Sequence, residues 1–141
     1  MLVRNAMRRN VIVADPSLTL KEASKVMTKL NIGSLVITKE NKLLGIVTST
    51  DILKCIAEDK DVEKTTVEMI MSKPVITIDP DKKIEEAVDV MLKNKIKRLV
   101  VTENEKIIGI ITASDIISIE PKLIEQLSQL ISLKLPGYSG G

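Results

Sequence analysis

Gly45-Ile46-Val47-Thr48-Ser49-Thr50-Asp51 decides how this chain reads, because it returns as Gly109-Ile110-Ile111-Thr112-Ala113-Ser114-Asp115. Each stretch closes an apolar run with a glycine, places a hydroxyl three residues on, and adds a carboxylate three beyond that. Ile52-Leu53 or Ile116-Ile117 follows at once. This is the pattern of a β-strand handing over to a helix. At a helix start, backbone N–H groups lack intrahelical partners and attract anions. An ionised carboxylate beside them only accepts hydrogen bonds, and can take the paired hydroxyls of a ribose.

Working outward, residues 3–54 superpose on 67–118 without a gap. Met7 meets Met71, Asp15-Pro16 meets Asp79-Pro80, Glu22-Ala23 meets Glu86-Ala87, and Leu35-Val36 meets Leu99-Val100. Two copies are too few for a solenoid and indicate a duplicated, pseudo-twofold pair. Each copy predicts a leader of one helical turn (3–7, 67–71) and a short β-branched strand (11–13, 75–78) stopped by Asp-Pro. A helix follows. Thr19-Leu20-Lys21-Glu22 has capping-box spacing. Leu20, Ala23, Met27 and Leu30 share one face, as do Ile84, Ala87, Val88 and Met91. Two strands come next (34–38 and 43–48; 98–102 and 106–112), joined across Lys39-Glu40-Asn41-Lys42 or Glu103-Asn104-Glu105. A second helix begins near Thr50 or Ser114.

The expected fold class is therefore α+β, with tandem β-α-β-β-α repeats at 1–60 and 67–119 joined by a charged linker. Consecutive apolar residues such as Leu99-Val100-Val101 mark strands buried on both faces. The remaining 120–141 reads as a C-terminal helix with an apolar stripe (Ile124, Leu127, Leu130, Ile131). Pro136-Gly137 stops it, and a disordered tail follows.

Composition narrows the function. The hydrophobic share is 44% and the charged share 28%, ordinary for a globular chain. With no Trp, no Phe and one Tyr, the aromatic platforms that stack nucleic-acid bases are missing. A net charge of +2 gives no electrostatic footprint for nucleic acid. Cys55 is the single cysteine and histidine is absent. A Cys/His zinc site and a His-dependent nucleophile are thereby excluded, and Cys55 reads as a small buried hydrophobe. No apolar run approaches the ~18 residues of a membrane span. No signal-peptide pattern follows Met1, so the cytoplasm is the expected location.

The duplicated unit and its G-x-x-T-x-x-D ending resemble the cystathionine β-synthase (CBS) domain pair, or Bateman module, over about residues 3–118. Lys73-Pro74-Val75-Ile76-Thr77-Ile78 and Asn94-Lys95-Ile96-Lys97-Arg98-Leu99 add to the likeness. The resemblance implies a non-catalytic regulatory module of the stand-alone kind. It binds AMP, ADP, ATP or S-adenosylmethionine in clefts between the copies and pairs into a disc-like homodimer. The adenosine nucleotide is a regulatory ligand, with no cofactor and no metal, and signalling passes to a partner protein.

Carried onto this sequence, the first cleft takes Asp51 for the ribose and Thr48 and Thr50 for ribose and phosphate. Ile46, Val75 and Ile76 sandwich the adenine, and Lys97 and Arg98 meet the phosphates. The second cleft takes Asp115, Thr112, Ser114, Ile110, Val11 and Ile12. There the residues matching Lys97 and Arg98 are Gly33 and Ser34. That absence of cations predicts unequal clefts: phosphorylated ligands at Asp51, and at Asp115 nothing, weak binding, or a ligand without a polyphosphate.

The plainer alternative makes Asp51 and Asp115 helix caps, and the protein a dimerisation scaffold with vestigial clefts. A nucleic-acid-associated regulator requires Arg4, Arg8, Arg9 and the lysines to cluster. A nucleotide hydrolase lacks a Walker-type loop or a metal-ligand cluster.

Overall fold

The computed structural model describes residues 1–131. Along the chain the elements are α1 (Val3–Ala6), β1 (Val13–Ala14), α2 (Leu20–Leu30), β2 (Ser34–Lys39), β3 (Lys42–Thr48) and α3 (Ser49–Ala57). The second copy repeats them as α4 (Val67–Ile70), β4 (Thr77–Ile78), α5 (Ile84–Asn94), β5 (Arg98–Glu103), β6 (Lys106–Thr112) and α6 (Ala113–Ile119). A 3-10 turn at Pro121–Leu123 then leads into α7 (Ile124–Ile131). The fold is α+β, with two three-stranded sheets in the orders β1-β2-β3 and β4-β5-β6.

Both sheets are built alike. β1 runs parallel to β2, and β2 antiparallel to β3, with Val13 opposite Val36 and Val36 opposite Ile46. In the other sheet Thr77 lies opposite Val100 and Val100 opposite Ile110. The hairpins turn at Glu40-Asn41 and Asn104-Glu105, all four residues with positive φ of 52° to 67°. Two successive left-handed residues suit the twist of a two-residue hairpin. The first strand of each copy is shorter than the sequence predicts. Only Val13–Ala14 and Thr77–Ile78 are strand; Val11 and Val75 precede the ladder, and Ile12 O and Ile76 O accept its first bonds, from Val36 and Val100 N–H at 3.1 and 3.4 Å. Asp15-Pro16 and Asp79-Pro80 end each one at once, leaving room for two paired residues.

The chain divides into two compact units that do not follow the repeat boundary. One is Val11–Val75; the other joins Met1–Asn10 to the chain from Ile76 on. The leader of each copy thus packs with the other copy's sheet. In the first unit Leu20, Ala23, Met27, Leu35, Ile37, Val47, Ile52 and Cys55 form a core with Val67 of α4. In the second, Val3, Ala6 and Met7 of α1 join Ile84, Ala87, Val88, Met91, Leu99, Val101, Ile111 and Ile116. Each fully buried aliphatic of this kind is worth about 1.5–3 kcal/mol. Arg4 fastens α1 further, bonding Asp81 at 3.1 Å and Glu103 at 2.9 Å.

The two signature glycines are where the leaders press closest. A Cβ on Gly45 would stand 2.5 Å from Met71 Sδ, and one on Gly109 2.6 Å from Met7 Sδ. Leu30, expected in the core, is 46% exposed. It is the last residue of α2, and the chain turns through left-handed Asn31 so that Ile32 N–H reaches Met27 O at 3.0 Å. Ile32 packs on the core in its place. α7 packs against α5 and α6, with Leu127 fully buried and Leu123 nearly so. Ile124 faces outward at 48% exposure. The expected stop at Pro136-Gly137 and the disordered tail lie outside the described residues.

Candidate functional site

The two signature turns are built from backbone outward. Thr48 ends β3 in extended conformation (φ −111°, ψ 162°), which leaves its N–H and hydroxyl at the first turn of α3. Its hydroxyl accepts Asp51 N–H at 3.2 Å, and Asp51 Oδ2 accepts Thr48 N–H at 2.8 Å. Thr112 repeats this before α6: its hydroxyl accepts Asp115 N–H at 3.1 Å, and Asp115 Oδ2 accepts Thr112 N–H at 3.2 Å. Both aspartates therefore cap their helices, and capping uses one carboxylate oxygen of each.

The second oxygen separates the copies. Among the described residues, Oδ1 of Asp51 has no protein partner. Oδ1 of Asp115 accepts Arg8 Nε at 3.0 Å. Backbone geometry explains why arginine reaches it. Arg8 forms an antiparallel bridge with Ile110, N–H to O in both directions at 2.8 and 2.9 Å. Ser72 bridges Ile46 in the same way, at 2.9 and 3.2 Å. Matched backbone sites thus carry a guanidinium beside Asp115 and a short hydroxyl in the other unit. The Asp115 side chain is only 10% exposed, while that of Arg8 is 69% exposed.

The remaining sequence-derived residues fall into the two units as follows. Val11–Val75 holds Ile46, Thr48, Thr50 and Asp51, together with Val11, Ile12 and Val75. The other unit holds Ile110, Thr112, Ser114 and Asp115, together with Ile76, Lys97 and Arg98. Each expected residue set thus draws on both units. Thr50, Ser114 and Lys97 are exposed; Ile46, Ile110, Val11, Ile12, Val75, Ile76 and Arg98 are half-buried.

Lys97 and Arg98 lie along the edge of the second turn. Lys97 O accepts Ala113 N–H at 2.9 Å, and Arg98 pairs with Thr112 across β5 and β6. Gly33 and Ser34 take the matching places beside Ser49 and Thr48. The expectation that no cation attends Asp115 is therefore corrected: Arg8 bonds it directly. Sequence reasoning weighed Arg8 only for a basic cluster. The signal was its alignment on Ser72, a change of charge one residue after the methionine that meets the glycine.

Chemically, these turns offer carboxylate and hydroxyl acceptors, N–H donors and cations. No group of three or more His, Cys, Asp or Glu among the described residues could hold a metal. No helix among them is long and apolar enough to cross a membrane.

Comparison with known proteins places this arrangement. The family model for the CBS domain matches twice, at residues 3–58 and 67–122. An uncharacterised protein of Methanopyrus kandleri is 38% identical over 125 residues, covering 86% of this chain and 64% of its own. A homoserine O-acetyltransferase of Methanococcus vannielii is 38% identical over 117 residues, covering 82% of this chain but 24% of the enzyme. The chain thus spans less than two thirds of the length of these relatives. Among solved structures, the CBS domain pair of protein MJ0100, in complex with 5′-methylthioadenosine and S-adenosyl-L-methionine, superposes with a TM-score of 0.79. It is 33% identical and covers 86% of this chain and 97% of its own. With two signature turns, two matched sheets and two matching domains, this chain belongs to the CBS domain family.

Proposed function

We propose that the chain is a non-catalytic sensor of adenosine-containing ligands. The observation that carries the reading is Asp51: a carboxylate fixed by its capping bond to Thr48, with one oxygen left for a ribose hydroxyl. The complex of the MJ0100 pair with 5′-methylthioadenosine and S-adenosyl-L-methionine supports the ligand class. AMP, ADP, ATP and S-adenosylmethionine all present that ribose, and each acts here as a regulatory ligand rather than a cofactor. Lys97, Arg98 and Arg8 are the cations offered to a phosphate. The two carboxylates are unequal, so ribosides bind more tightly at Asp51 than at Asp115. Output passes through a homodimer or a separate protein. Leu53 and Ile56 on α3, 64% and 53% exposed, offer apolar surface for such association.

Calorimetry and thermal shift with AMP, ATP and S-adenosylmethionine test this. Ligand at 100 times its dissociation constant stabilises the fold by ~2.7 kcal/mol. Asp51→Ala removes most of that shift and Asp115→Ala removes less. Equal losses overturn the inequality. The capping role of both aspartates favours a second reading, a scaffold with vestigial sites, and no shift with any of the three ligands establishes it.

A further inference from the structure

Arg8 is held in place by its own backbone, and its side chain neutralises Asp115, the one buried carboxylate among the described residues of this unit. With Thr112 N–H on Oδ2 and Arg8 Nε on Oδ1, both oxygens of Asp115 are engaged. A ribose diol that reaches Oδ1 must compete there with a charge-assisted hydrogen bond, the stronger kind. A neutral riboside brings nothing to compensate the guanidinium. A ligand with a phosphate does, because a guanidinium matches phosphate oxygens as well as carboxylate oxygens. Arg8 is 69% exposed in its side chain, so it has room to swing from one anion to the other.

We propose that Arg8 is a specificity-determining residue of the Asp115 site: it blocks the carboxylate against neutral ribosides and yields it to ligands carrying an anionic group. The inference rests on the adenosine-sensor reading and deepens it. Ser72, on the matching backbone bridge beside Ile46, gives the Asp51 site no such selectivity.

Calorimetry with adenosine and AMP, in an Asp51→Ala background that leaves the Asp115 site, tests the claim. The background protein binds AMP more tightly than adenosine. Adding Arg8→Ser tightens adenosine about tenfold, as expected for removing one charge-assisted competitor, and weakens AMP. The reciprocal Ser72→Arg, in an Asp115→Ala background, weakens adenosine at the Asp51 site and widens its preference for AMP. It also carries the test should Arg8→Ser fail to fold. If both ligands still bind and neither arginine change alters their ratio, the inference is overturned and the sensor stands. If the unaltered chain binds neither ligand, the inference is overturned, and the sensor reading fails with it only when ATP and S-adenosylmethionine also give no thermal shift.

Discussion

The unit around β1–β3 and the unit around β4–β6 share a backbone nearly residue for residue, yet their side chains finish it differently. Both sheets shift register at the same place, after Ile37 and after Val101. Both hairpins use two left-handed residues, and both second helices follow an extended threonine cap. The differences lie in what covers or caps this frame. α7 packs on α5 and α6, and Ile117 is packed against the core, whereas its match Leu53 is 64% exposed. α2 starts from a bonded Thr19 cap, while α5 starts from Lys83, with no side-chain cap bond. Asp115 accepts a bond from Arg8, where the matching bridge beside Ile46 carries Ser72. Backbone hydrogen bonds cannot be left unmade in a buried sheet, so duplication kept them. Side chains outside the cores were free to diverge.

That comparison can be broken most forcefully at the roof of one unit. Leu127→Ala removes a fully buried side chain and costs about 2–5 kcal/mol. Hydrogen exchange then shows lost protection in β4–β6 and none in β1–β3; equal losses would mean that the two units unfold as one. Next come the glycines. Gly109→Ala sets a methyl against Met7 and 3.0 Å from Arg8 O, whereas the three atoms nearest a methyl on Gly45 all belong to the movable Met71 side chain. Overpacking costs about 1–3 kcal/mol, with Gly109→Ala the more costly in chemical denaturation.

A smaller effect separates the caps: Thr19→Ala loses about 1 kcal/mol, while Lys83→Thr gains stability by supplying the missing acceptor. The smallest is a pH effect. Bonds from the Thr19 N–H and hydroxyl hold the Glu22 carboxylate below its ordinary 4.5. A lowered value stabilises the fold fully above 4.5, and the contribution fades as pH falls through the folded-state value. The stability gap between wild type and Thr19→Ala therefore narrows in acid.

What the sequence made legible was local or repeated. The glycine, threonine and aspartate of each turn, the Thr19-Glu22 box and the helix faces of Ile84, Ala87, Val88 and Met91 depend on neighbours a turn away. The buried strands were legible as unbroken apolar runs. The rest depended on partners far along the chain. Nothing near Val3 or Met7 says that they pack with Leu99 and Ile111. The exposure of Leu30 followed from the left-handed turn at Asn31, which helical periodicity does not see. Arg8 reads as a surface cation until the bridge to Ile110 puts it beside Asp115.

The exchange of leaders has a topological consequence. Cutting the gene at the seam of the duplication gives two fragments, neither of which contains all of a core. A fragment ending before Val67 carries Gly45 without the methionine that presses on it, and a leader with no sheet of its own to rest on. Two such fragments would have to trade leaders to become whole, so one half expressed alone would reach a native core only by assembling with another chain.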